Sequence, residues 1–71
     1  MKDKLLKTLL KKYDAEIEDA LFKIDCFNDH ALIIPEHTGI SEEVDKLLLK
    51  ISETEGKLSA LRQHYVKKET K

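Results

Sequence analysis

The chain has 71 residues, 41% hydrophobic and 38% charged, with 13 Lys and Arg against 14 Asp and Glu. So short a chain forms one domain at most and cannot enclose a deep core without a partner, a metal or a crosslink, so oligomerisation is the leading expectation. A formal net charge of -1 and a pI of about 6.3 weigh against a protein built mainly to hold nucleic acid, and the mixed charge and high Leu and Ile content exclude a disordered chain.

Two Gly, one Pro and no Trp match the composition of long helices and coiled coils. The single cysteine, Cys26, has no internal partner for a disulfide, which fits a reducing compartment and makes the cytoplasm the expected location. The opening Met1-Lys2-Asp3-Lys4 is basic, but no uninterrupted apolar core or small-residue cleavage site follows, so export is not expected. No apolar stretch approaches the roughly 18 to 20 residues that span a bilayer, and a soluble protein without a membrane partner is expected.

Asp3 opens the first element as a candidate N-cap. From there Leu6, Leu10, Tyr13, Ile17, Ala20, Ile24, Phe27 and Ala31 recur at alternating intervals of four and three, which keeps them on one helical face and predicts a helix over about 4–30. Residues 31–40 break it. Pro35 removes a backbone donor and disfavours helix at Ile34, Gly39 supplies turn flexibility, and Leu32, Ile33 and Ile34 are expected to fold over the end of the bundle as an apolar plug. Ser41 is the candidate cap of a second helix over about 41–68, with Glu42, Glu43 and Asp45 near the positive end of its dipole and Lys67, Lys68 and Lys71 near the negative end. Its seam is Ile40, Val44, Leu47, Ile51, Thr54, Leu58, Leu61 and Tyr65.

A short connection favours antiparallel neighbours. The predicted fold is therefore all-α: an antiparallel hairpin of two long amphipathic helices, one domain over 1–71, dimerising into a four-helix bundle. Folding at Pro35 aligns Leu6 with Tyr65, Leu10 with Leu61, Tyr13 with Leu58, Ile17 with Thr54 and Ala20 with Ile51, and so on to Ala31 with Ile40. Thr54 is the one polar member, a weak layer able to set register.

The seam leaves Leu9, Leu21, Phe22, Cys26, Leu48 and Leu49 outside it, and these six are the candidate protein interface. Charge is segregated as well. Residues 1–13 hold five Lys and one Asp, residues 57–71 hold four Lys, one Arg and one Glu, and residues 14–56 hold three Lys against twelve acids. A hairpin brings the two basic segments together at its open end, so packing two hairpins antiparallel sets unlike charges against each other. Lys4, Lys7, Lys11, Arg62, Lys67 and Lys68 are candidate phosphate contacts for a nucleic-acid-binding alternative, although charge runs on helices are most often solvated faces.

Catalytic and metal chemistry find little support. Cys26, His30 and His37 lack a structural zinc spacing, the two glycines are isolated, and the carboxylates show no paired, desolvated arrangement. The expected function is a small non-enzymatic interaction module, adaptor or regulator, without cofactor or metal, that binds itself and an unidentified protein; a scaffold subunit of a larger assembly is a further alternative.

Overall fold

A computed structural model describes the backbone of residues 1–30 and 37–66 and the side chains of residues 1–29 and 39–66. Two α-helices make up the fold, α1 over Asp3–His30 and α2 over His37–Tyr65. They pack against each other and run antiparallel, because cross-helix contacts join Tyr13 to Lys57 and the later Glu16 to the earlier Lys50. The molecule is a rod 55 Å long and 18 by 16 Å across.

The alternating four-three spacing forms the seam for the reason helices pair at all: it puts one stripe of each cylinder out of water. Ala20, Ile51, Thr54, Leu58 and Leu61 are buried, and Leu6, Leu10, Tyr13, Ile17, Ile24, Phe27, Ile40, Val44 and Leu47 are half-buried. Every described seam residue is thus at least partly covered except Tyr65, which is 54% exposed at the last position of α2. The expected Leu6–Tyr65 layer therefore does not close. Ala31, the remaining seam residue, lies outside the described residues, as do the Leu32–Ile34 plug and Pro35.

Three expectations at the helix ends are corrected. Leu6 N donates to the Lys2 carbonyl at 2.9 Å, so Lys2 is the capping position and Asp3 stands inside the first turn, where its charge still faces the positive end of the dipole. The second helix begins at His37, four residues before Ser41, so Ser41 is interior and caps nothing. Gly39 lies within that helix, and no described glycine has a positive φ, so its backbone freedom is not what turns the chain. The cap reading of Ser41 failed because helix propagation costs little once a turn has formed, and a serine without a breaker after it does not stop the ladder. At the far end α2 stops at Tyr65, and Lys67 and Lys68 lie outside the described residues.

Thr54 is the least accessible side chain, 1% exposed, and no buried side-chain nitrogen or oxygen among the described residues lacks a hydrogen-bond partner. A variant that keeps its shape tests the weak layer: Thr54→Val should raise the melting temperature by removing a hydroxyl from an apolar seam. Thermal unfolding followed by circular dichroism reads it directly, and a fall of several degrees would mean that the hydroxyl's bond outweighs its burial cost.

Gly56 occupies the solvent side of α2, with nothing within 4 Å of the place a β-carbon would take and no positive φ to preserve. Gly56→Ala should stabilise the hairpin by about 0.5–1 kcal/mol, seen as a rise of roughly 3–6 °C in melting temperature. No rise would indicate that α2 is frayed or rearranged around this position.

Candidate functional site

The two sides of the seam differ in chemistry. On one side Glu16 is ion-paired with Lys12 at 3.6 Å through one oxygen and with Lys50 of the opposite helix at 3.8 Å through the other, while Lys57 lies 5.6 Å from the centre of the Tyr13 ring. Asp19 pairs with Lys23 at 3.1 Å and Glu43 with Lys46 at 3.6 Å on the same side. All three lysines of residues 14–56 are therefore held in ion pairs on this flank. Each such exposed pair contributes little stability, of order 0.3–0.5 kcal/mol, but together they leave the flank polar and locally neutral.

The ion-paired flank holds a groove of about 310 Å³ between Ala20 and Leu47, and the opposite flank is more deeply furrowed. Towards the open end a groove of about 760 Å³ runs between Leu10 and Ile17 of α1 and Leu58 and Arg62 of α2, and towards the turn a smaller one of about 300 Å³ lies between Ile24 and Val44. Between the two grooves stand Leu21, 48% exposed, and Leu48, 53% exposed. They belong to rows spaced by seven residues, Lys7, Asp14, Leu21 and Asn28 on α1 and Ser41, Leu48, Glu55 and Arg62 on α2, which flank the seam on this side. In an antiparallel pair these two rows face each other across one edge of the seam, as Glu16 and Lys50 do across the other.

The six candidate interface residues do not form one surface. Leu21 and Leu48 come together on the grooved flank. Phe22 and Leu49, 65% and 59% exposed, follow them in sequence but point to the backs of α1 and α2, away from the seam and from each other. Leu9 and Cys26 are half-buried rather than free, and their helical positions turn them towards the ion-paired side. Their assignment to an open interface is the reading that the geometry supports least.

Charge on the grooved flank is sorted by length. Lys4, Lys7, Lys11 and Arg62 gather at the open end, Asp14, Glu18 and Glu55 at mid-length, and Asp25 and Asp45 towards the turn. None of these nine takes part in an ion pair among the described residues. Of the six candidate phosphate contacts, four thus share one flank, and Lys67 and Lys68 lie outside the described residues. Summing charge by segment did not sort it by flank; the seven-residue rows were the signal that carried the division.

No group of three or more potential metal ligands occurs among the described residues, and no described helix is long and apolar enough to cross a membrane. The side chains of His30 and His37, considered with Cys26 as ligands, lie outside the described ones. Comparison with protein-family models, with curated proteins and with solved structures returned no match.

Because Phe22 and Leu49 are open to water and off the seam, replacing both should not disturb the hairpin. Phe22→Gln with Leu49→Gln should leave helix content unchanged and shift stability by no more than about 0.5 kcal/mol, as surface substitutions do. Cooperative loss of helicity in the double variant would show instead that the backs of both helices belong to an obligate core.

Proposed function

We propose that this chain is a small non-enzymatic interaction protein, a helical hairpin that associates with itself as an antiparallel four-helix bundle and presents its remaining surface to a larger protein. The observation that carries this reading is unburied area. The hairpin exposes 5877 Å², whereas a compact monomer of this mass exposes about 4500 Å², and the excess exceeds the roughly 800 Å² that each partner buries in a standard interface. Leu5, Leu21, Phe22, Leu48 and Leu49 are each about half exposed or more. Five large apolar side chains left in water in so small a domain support an interaction surface.

The adaptor or regulator role follows from size and from the lack of any concave, desolvated cluster of reactive groups among the described residues. A cytoplasmic setting accords with the single unpaired thiol.

A second reading, nucleic-acid binding, draws on the gathering of Lys4, Lys7, Lys11 and Arg62 on one flank of the open end. A titration with duplex DNA and with RNA at two salt concentrations separates the readings, because phosphate binding by a few cations falls steeply with salt. The expected result is no saturable binding at low salt.

Self-association is checked by sedimentation equilibrium across the micromolar range. A concentration-dependent dimer is expected, and Leu21→Ser with Leu48→Ser should weaken it by at least about tenfold while leaving the monomer helical, since two half-exposed leucines are worth most where a partner covers them. A stable monomer at every concentration would end the reading.

A further inference from the structure

The mid-length of the grooved flank lies at the level of Ile17 and Thr54, bracketed by the Tyr13–Lys57 and Glu16–Lys50 contacts. Leu21 and Leu48 stand on the turn side of that level, and the groove of about 760 Å³ lies mainly on the open side. The flank thus carries a projection and a recess displaced in opposite directions from one line, which is the arrangement an isologous interface needs. Its charges have the same displacement: Lys7 and Arg62 on one side of the line, Asp25 and Asp45 on the other.

We propose that the occupant of the grooved flank is the same flank of a second copy, related by a twofold axis that crosses the rod at the Ile17–Thr54 level. This deepens the self-associating reading above and rests on it, adding the flank, the register and the residue pairs. The axis lies across the rod within the interface, so α1 lies on α1 of the other copy and α2 on α2, each pair antiparallel. Leu48 then reaches the level of residue 60 in the other copy, between Leu58 and Arg62, and Leu21 reaches the level of Tyr13, between Leu10 and Ile17. The residues that line the recess receive the residues that project. Lys7 comes to the level of Phe27, two residues from Asp25, and Arg62 to that of Lys46, one residue from Asp45, twice each by symmetry. The two helices run about 42 Å at 1.5 Å per residue, and a flank of that length across both is large enough for the roughly 800 Å² per partner of a standard interface.

Parallel packing of the same flanks gives the opposite electrostatics. It would match Leu21 to Leu48 but set Lys7 beside Arg62, Asp14 beside Glu55 and Asp25 beside Asp45, like charge against like throughout. Antiparallel packing confines its unfavourable contacts to the axis, where Glu55 of α2 and Asp14 and Glu18 of α1 approach the same residues of the other copy. The ion-paired flank is a weaker candidate, since its lysines are already satisfied by carboxylates of their own chain.

The test is a charge swap on the full chain, read by sedimentation equilibrium at low salt, with circular dichroism confirming that each variant stays helical. Lys7→Glu and Asp25→Lys should each raise the dissociation constant about tenfold or more, and the double variant should return to within about threefold of the parent, because the swapped charges meet again across the interface. Glu55→Gln should tighten the dimer by relieving the contact at the axis. If the parent dimerises but the double variant is no tighter than the single ones, this register is overturned while self-association stands. Tightening by Lys7→Glu alone would assign the parallel arrangement and overturn the proposal. A parent that stays monomeric overturns both the register and the reading on which it rests.

Discussion

A pair of helices can remove only one stripe of each from water, and this geometric limit governs the protein. The seam buries five side chains, Ala20, Ile51, Thr54, Leu58 and Leu61, and half-covers nine more. Burial of a large apolar side chain contributes roughly 1.5–3 kcal/mol when complete, and the ordering of about sixty helical residues opposes it at more than about 1 kcal/mol per residue. Five buried positions, one an alanine and one a threonine, leave such a hairpin at the margin. Covering Leu21 and Leu48, as the proposed self-association would, adds to the core that the seam leaves thin.

The difference between the two flanks follows from how charges were distributed along α1 and α2. On the ion-paired side, acids and lysines recur at helical spacing and close on one another within and between helices, so that face is complete in the monomer. On the grooved side the described bases and acids form no ion pair, and Lys7 and Arg62 at the open end stand about 25 Å along the rod from Asp25 and Asp45, too far to pair with them within one chain. Charges that cannot meet inside a molecule but are arranged to meet between two molecules favour association and specify its direction, and their effect weakens as salt screens them. In the proposed dimer the apolar projection and groove would supply the attraction, and the charges would disfavour the parallel alternative.

Much of this was legible in the residues themselves. The four-three spacing from Leu6 to Phe27 and from Ile40 to Leu61 determined two helices and the stripe each would hide, since a helix of 3.6 residues per turn keeps such positions on one face whatever else surrounds it. Leu21, Phe22, Leu48 and Leu49 were readable as off-seam for the same reason, and the basic open end followed from the hairpin and the segment charges. Helix boundaries were less legible. Ser41 and Gly39 carry cap and turn propensities, yet α2 runs through both from His37, because local preferences of about a kilocalorie per mole yield to the continuing hydrogen-bond ladder and to the partner helix.

What only the tertiary structure decided is which off-seam residues share a surface. In sequence Leu9, Leu21, Phe22, Cys26, Leu48 and Leu49 are equivalent, all apolar and all outside the four-three pattern. Pairing the helices breaks that equivalence: one edge of the seam is bridged by Glu16 and Lys50, the other carries the largest described groove, and Leu21 and Leu48 meet there while Phe22 and Leu49 diverge to opposite backs. A periodic pattern specifies an angle around one helix axis; which flank of a neighbouring helix that angle meets depends on the direction and register of the second helix, and those exist only once the two are packed.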